Sequence, residues 1–508
     1  MKPQTWTFWL VGCLIVSSLT PAEAQRFRRR GSPRSIQDLL RRQRGSDANP
    51  RHERAKTEAD RVYQQGDFER AARLTNMVLR ENPRDHVALY LRASANIELG
   101  FRSRDGKLIR SAVADARNSI AHSNGSNVFY YIPYLYGMTN LAILEANKKH
   151  AEVAVTIGNQ VLDLPQIKKD ERAQIHYQRA RAHSYLANYT QAVDDFEKTL
   201  QLDSNHLGAF VGLADVHAAT GNVEKTQEAY SRAIGTFPDN PLVYNNRGMF
   251  LQQQGKPAEA IADFTRAIEL DRRYHAAFTN RGFALMESGN PQAAEPDFDE
   301  SLRLSRNQPM VYNLRGVARL AQGKVREAIS DQREMVRQAP QDPVAHADLG
   351  FALFFSRDFA NAERSFAQAL EINAEMRHLI PWRAASMQRA GEAGKVSDLA
   401  ASAVEKKAED RDWIDQLLVF LVDASSEEEL FKSVRTDDKY AKEAQLCEAH
   451  FFVGFRAKGT GNNEAAAIHF QKALDTGARY LSAYRGAQFA LNKFSVAELK
   501  LPAAVRSR

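Results

Sequence analysis

The sequence predicts an all-α fold, a solenoid of about ten helical hairpins with the irregular ones included. Three observations predict it. Residues 241–350 repeat one pattern, with Gly248, Gly282, Gly316 and Gly350 each 34 positions after the last. An aromatic side chain follows at a fixed offset: Phe264, Phe298 and Phe366 after the first, second and fourth of these glycines. Finally, the apolar positions within each copy recur with the helical period rather than in alternation.

One copy shows why the unit has this length. From Pro241, a first helix carries Tyr244, Gly248 and Leu251. Gly255 ends it, and Pro257 suits the first turn of a second helix, where a missing N–H costs nothing. The second helix places Ala260, Phe264 and Ala267 on one face. Small residues at 248 and 260 allow close approach, and the Phe264 ring fills the space beside them. Neither helix can bury its face alone, so the units must stack.

The pattern is similar to that of the tetratricopeptide repeat (TPR) family. The resemblance implies a right-handed TPR superhelix whose first helices line a concave wall. It also implies that positions 2, 5, 6, 9 and 12 of each unit face that wall, and that the protein binds a partner protein or an extended peptide there.

The chain opens with Lys2 and the apolar run WTFWLVGCLIV, followed by Ala22-Glu23-Ala24. This is the form of a signal peptide over 1–24, with cleavage before Gln25. The run is about half the ~20 residues of a membrane-spanning helix. Leu10-Val11-Gly12-Cys13 is also similar to a bacterial lipobox, although the run stays apolar past Cys13. Export, to the periplasm or outside the cell, is expected on either reading, and no transmembrane helix is expected in the mature chain.

Residues 25–53 read as a basic disordered tail. Ten arginines between Arg26 and Arg54 stand against Asp38, Asp47 and Glu53, and that surplus equals the net charge of the whole chain, +7. The folded part is therefore electrically neutral. Such a tail is either an electrostatic tether for an anionic envelope surface or a solvated linker. No fold element here reads bases, so nucleic acid is not an expected partner.

Residues 54–168 read as N-terminal units of the same kind. Ala59, Gly66 and Ala71, then Ala93 and Gly100, hold the frame. The alanine expected near 105 stands at Ala112, so about seven residues around Arg102–Leu108 are inserted, in a loop on one face. A looser unit over 127–165 is unusually aromatic. Tyr130, Tyr131, Tyr134 and Tyr136 form either a contact patch for a partner or a bulky core between repeats.

Residues 173–394 keep a strict 34-residue register, with units starting at 173, 207, 241, 275, 309 and 343 and a degenerate one at 377. The aromatic position reads Phe196, Tyr230, Phe264, Phe298, Gln332, Phe366 and Ala400. Gln332 and Ala400 mark weaker packing, with a soft joint expected at Gln332.

Residues 395–446 read as an irregular helical segment and 447–494 as a final repeat with a capping helix, ahead of a tail over 495–508. Trp413, Leu417-Leu418, Phe420-Leu421, Ser425-Ser426-Glu427-Glu428-Glu429-Leu430, the run from Cys447 to Gly454, and Thr476-Gly477 resemble the closing region of bacterial TPR lipoproteins of the NlpI type. That resemblance covers about 90 residues. It implies an envelope adaptor that holds proteases and peptidoglycan hydrolases, although the lipobox of this chain departs from that type.

Catalytic constellations are missing from the sequence. There is no phosphate-binding G-x-x-x-x-G-K-[ST], no G-x-S-x-G, no H-E-x-x-H and no C-x-x-C. His176, His346 and His450 share one packing position of their units, and His183 and His217 another, which favours packing over metal ligation. Neither an enzyme nor a cofactor is expected. The expected site is the groove: Asn245, Asn246, Met249, Asn280, Phe283, Met286, Asn313, Phe351 and Phe354. Side-chain amides offer both a donor and an acceptor to an extended backbone. Asn246 and Asn280 resemble the asparagine ladder in the superhelix of O-GlcNAc transferases, which Leu314 and Asp348 interrupt here. The alternatives are an accessory subunit presenting a protease or peptidoglycan hydrolase, and an enzyme with a site in 101–127.

Overall fold

A computed structural model describes residues 49–123, 127–165, 167–434, 436–478 and 481–491. The expected signal peptide, most of the expected basic tail and the 495–508 tail lie outside the described residues. Those residues form 25 α-helices and no strand. The chain makes two compact units that divide between Arg247 and Gly248.

The first unit stacks five hairpins: α1 (Pro50–Gln64) with α2 (Phe68–Glu81), α3 (His86–Ser103) with α4 (Gly106–His122), α5 (Tyr131–Leu144) with α6 (Lys148–Leu162), α7 (Lys169–Tyr185) with α8 (Tyr189–Leu202), and α9 (Leu207–Ala219) with α10 (Val223–Thr236). Helix α11 (Pro241–Gln253) carries the division between the units. The second unit continues with α12 (Pro257–Leu270), α13 (His275–Glu287), α14 (Pro291–Leu304), α15 (Pro309–Ala321), α16 (Val325–Gln338), α17 (Pro343–Phe355) and α18 (Phe359–Ile372). Helices α19 (Ile380–Arg389), α20 (Ala393–Glu405), α21 (Trp413–Leu421) and α22 (Glu427–Lys432) follow, then the hairpin α23 (Lys439–Gly459) with α24 (Asn463–Asp475), and α25 (Ser482–Ala490).

The register reading holds in the regular stretch, where first helices begin at Leu207, Pro241, His275, Pro309 and Pro343. Gly255 takes a φ of 72°, the left-handed conformation that turns the chain between α11 and α12. The expected fit of small residue against aromatic is also present. A methyl group on Gly282 would stand 2.8 Å from Phe298, and one on Gly350 would stand 2.6 Å from Phe366. Both rings are fully buried.

A second recurring device joins the hairpins. In several hairpins the arginine before the small packing residue bonds to an aspartate on the second helix of its own hairpin. Arg281 donates from Nε and Nη2 to Asp297 at 2.8 and 2.7 Å, while its Nη1 donates to Thr265 of the preceding hairpin at 3.1 Å. Arg179 pairs with Asp195 in the same way at 2.7 Å. Parallel guanidinium–carboxylate bonds fix orientation as well as charge. His176 donates from Nδ1 to the same carboxylate, 2.7 Å away, so its ring is taken up in packing between the two helices.

Three expectations are corrected. The seven additional residues near 102–108 do not form a loop. They lengthen two helices, α3 to 18 residues and α4 to 17, and leave a short turn at Arg104 with φ 55°. Ile109, within the lengthened α4, is buried with Ile97 and Leu141, and that burial favours helix over loop. The Arg–Asp pair survives there as Arg92 with Asp115, both bonds at 2.7 Å. Secondly, the basic tail does not extend to residue 53. Helix α1 begins at Pro50, with Asn49 accepting from the Arg51 N–H as its cap. Thirdly, the helix of the final repeat starts before residue 447, at Lys439, and Cys447 lies inside that 21-residue α23.

Candidate functional site

In the first unit the aromatic residues are structural. Tyr130 is 1% exposed, and its hydroxyl lies 2.6 Å from His86 Nδ1. Tyr136 lies beneath the Arg181 guanidinium, 4.8 Å away, and its hydroxyl points to Glu98 at 3.5 Å. Tyr131 and Tyr134 are half-buried against the core that contains Leu135 and Ile175. Tyrosine burial needs partners for the hydroxyl, and the helices beside α5 supply them for Tyr130 and Tyr136. Tyr130 and Tyr136 are thus engaged between repeats, while Tyr131 and Tyr134 border that core with part of each ring still accessible.

The expected groove residues divide by burial. Asn245, Asn246, Asn280, Met286 and Phe354 are buried. Asn245 donates to the side-chain oxygen of Asn246 at 3.3 Å. Met286 sits in a core with Phe298 and Leu302. Phe354 lies within 5.1 Å of both Trp382 and Phe455. In this conformation these side chains present little surface to a partner. Met249, Phe283, Asn313 and Phe351 remain half-buried.

Within the second unit, four residues of the expected wall meet around one cavity. Val317 and Leu320 of α15 and Asp348 and Phe351 of α17 line it, with Ala321, Gln332, Phe355, Arg485 and Phe489. Its volume is about 30 Å³, room for a water molecule or two. The space follows from the sequence. Gln332 occupies the position where other hairpins place an aromatic ring, and the shorter side chain leaves the volume unfilled. Helix α25 closes the cavity from the far side. Phe489 stacks on Phe355 with centroids 4.8 Å apart, and Gly486 fits against Phe451 and Phe355.

The polar groups of the cavity form a chain. Gln332 Nε2 donates to Asn313 Oδ1 at 3.0 Å, and Asn313 Nδ2 donates to Asp348 Oδ2 at 2.8 Å. The Gln332 Oε1 atom is buried with no hydrogen-bond partner, and so is Arg485 Nε. Burial pushes the Asp348 carboxyl up and the Arg485 guanidinium down, while each partly counteracts that shift in the other through its charge. No carboxylate comes within ion-pair distance of Arg485 among the described residues. The expected soft joint at Gln332 is thus a buried polar position beside a cavity. Sequence reasoning marked Gln332 only as weak packing and read Arg485 and Phe489 only as parts of a cap. The missing aromatic was the available signal.

Elsewhere in the second unit, His450 and His469 face each other with Nδ1 atoms 3.2 Å apart, and Glu427 holds the other nitrogen of His469 at 3.2 Å. No group of three metal-ligating side chains occurs among the described residues. No described helix is long and apolar enough to cross a membrane.

Comparison with known proteins agrees with this architecture. Family descriptions of the tetratricopeptide repeat match residues 241–274, and also 56–101, 177–241 and 279–343. The chain therefore carries tetratricopeptide repeats. Among curated proteins, a Photosystem I assembly protein Ycf3 of Prochlorococcus marinus is 27% identical over 117 residues, 21% of this chain and 68% of that protein. The human protein O-mannosyl-transferase TMTC3 is 35% identical over 69 residues, 13% of this chain and 8% of that protein. Among solved structures, Pseudomonas aeruginosa PilF covers 41% of this chain and 94% of its own at 23% identity, with a TM-score of 0.36. A tetratricopeptide repeat protein from Parabacteroides merdae covers 53% and 99% at 19% identity, also with a TM-score of 0.36.

Proposed function

We propose that this protein is a non-catalytic scaffold of the bacterial envelope that holds an extended segment of a partner protein against the first helices of its second unit. Tetratricopeptide repeats act as scaffolds and adaptors for protein partners in other proteins. The observation that carries the reading here is the row of half-buried side chains on successive first helices, Met249, Phe283, Asn313, Val317, Leu320 and Phe351, which leaves apolar and amide surface open to a partner. Export rests on the signal-like residues 1–24, and the arginines of the tail would hold the protein near anionic polymers or headgroups.

Selection of a displayed random-peptide library on the full chain tests the binding reading. Enriched peptides should bind the Leu320→Asp variant at least roughly tenfold more weakly, because a charge would enter an apolar wall, while the melting temperature stays near that of the parent. Failure to enrich any peptide, or binding indifferent to Leu320→Asp, would overturn it. Mass spectrometry of the mature protein tests export. A free or cyclised Gln25 terminus is expected, and an uncleaved chain would remove the export reading.

A further inference from the structure

We infer that Glu427, His450 and His469 form a proton-operated clamp. It holds helix α22 against the α23–α24 hairpin while the two imidazoles share at most one added proton, and a second proton opens it.

Three helices build the clamp. Helix α22 has six residues, and of these Leu430 is the one that is buried. Two of its other side chains reach the hairpin. The Phe431 ring lies on His450 of α23, with centroids 4.5 Å apart. It also stacks 6.3 Å from His469 of α24, at an interplanar angle of 25°. Glu427 Oε1 lies 3.2 Å from His469 Nε2. The Nδ1 atoms of the two histidines are 3.2 Å apart, and both rings are half-buried. At that separation one Nδ1 carries a proton and the other accepts it.

Counting protons shows where the clamp fails. A neutral imidazole has one N–H, so the neutral pair has two protons on four ring nitrogens. His469 donates from Nε2 to Glu427, and its bare Nδ1 accepts from His450 Nδ1. One added proton is accommodated. His469 then donates to both Glu427 and His450 Nδ1, while His450 carries its own proton on Nε2. A second added proton has no such place. Both Nδ1 atoms would be donors, and two positive rings would face each other across 3.2 Å.

The surroundings favour the neutral pair. Burial is the largest influence and pushes both rings down, His450 to about 4. Each half of the pair is reached by further charges. His469 and Lys472 of α24 oppose a charge on His450, and Asp475 of α24 favours one. Glu427 of α22 favours a charge on His469, and Lys472 opposes it. A ring released from the clamp takes up its proton near the ordinary histidine value of 6.5. The closed form is therefore fully favoured above that pH and loses ground as the pH falls toward about 4.

Hydrogen–deuterium exchange of the full chain tests the clamp, with protection taken relative to the free-peptide rate at each pH. Protection over residues 424–434 should fall roughly tenfold or more between about pH 7 and about pH 5, while that over 447–455 in α23 stays high. His450→Asn and His469→Gln keep a donor near the Nδ1 and Nε2 positions, respectively, but take up no proton. Each should remove most of the pH dependence over 424–434. Thermal melting checks the fold of both variants, and the parent profile decides the matter if neither folds. Protection that does not change with pH in the parent, a fall shared equally with 447–455, or a fall that survives in both variants would each overturn the inference.

Discussion

Arg315 donates two hydrogen bonds to Asp331, at 3.0 and 2.6 Å, across its own hairpin. A third goes to Asp299 of the preceding hairpin at 2.7 Å. Asp331 is buried and also accepts from Arg319 at 2.8 Å, whereas the Asp299 side chain is 50% exposed. The two carboxylates should therefore differ in weight. Asp331→Ala removes the buried carboxylate that two guanidinium groups share, leaving Arg315 only the exposed Asp299 and Arg319 its bond to Glu295, and should destabilise the second unit by about 3 kcal/mol. Asp299→Ala should cost less than about 1 kcal/mol, because an exposed pair is screened by water. Urea denaturation of the two variants checks this, and equal losses would contradict it.

Gly282 and Gly316 hold equivalent positions with different neighbours. A methyl on Gly282 meets the ring of the fully buried Phe298 at 2.8 Å. A methyl on Gly316 meets the amide end of Gln332 at 2.9 Å, beside a cavity into which that amide can shift. Gly282→Ala should destabilise by about 1–3 kcal/mol, the usual cost of overpacking. At Gly316 the relaxation into the cavity should reduce the cost, and the gain in helix propensity offsets about 1 kcal/mol of it. Thermal melting of the pair orders them.

Glu448 supplies a pH dependence. Burial pushes its carboxyl up to about 7, against a hydrogen bond from Trp413 Nε1 at 2.7 Å that favours the ionised form. The folded chain thus holds this proton more tightly than the unfolded chain does. The contribution is greatest below the unfolded pKa and is lost as the pH rises through about 7. Stability should fall between mildly acidic and mildly alkaline pH, by roughly 3 kcal/mol at most from this group. Glu448→Gln should flatten that part of the profile. An unchanged slope in urea titrations at several pH values would exclude Glu448 as its source.

Cys447 should be chemically inert in the native chain. Burial pushes its thiol up to about 12, so little thiolate is present at neutral pH, and the side chain is fully buried. Peptide-resolved mass spectrometry after iodoacetamide treatment should find Cys447 unlabelled until urea unfolds the second unit. Rapid labelling under native conditions would contradict this.

The regular hairpins were legible because glycine and phenylalanine at a fixed interval meet in space, as Gly350 and Phe366 do. The Arg–Asp pairs are equally present in the sequence, 16 residues apart in the regular hairpins and 23 in the lengthened one, but a charged residue beside a packing position reads as surface. Of the expected wall, Val317, Leu320, Asp348 and Phe351 meet around the small cavity. At Asn245, Asn280, Met286 and Phe354 the helical face merges into the core, and periodicity alone does not say where burial begins. The 102–108 insertion misled for another reason. Seven residues amount to about two helical turns, and a turn-sized insertion can extend a helix pair without moving its buried face.

Repeat arrays fold through contacts between neighbours in the sequence, and such local contacts form quickly. The cavity does not follow that rule. Gln332 belongs to an early hairpin of the second unit, while Arg485 and Phe489 arrive with its last described helix. Gln332 therefore gains its last apolar neighbours only when the final described helix docks, so the hairpins can stack before this part of the unit is closed.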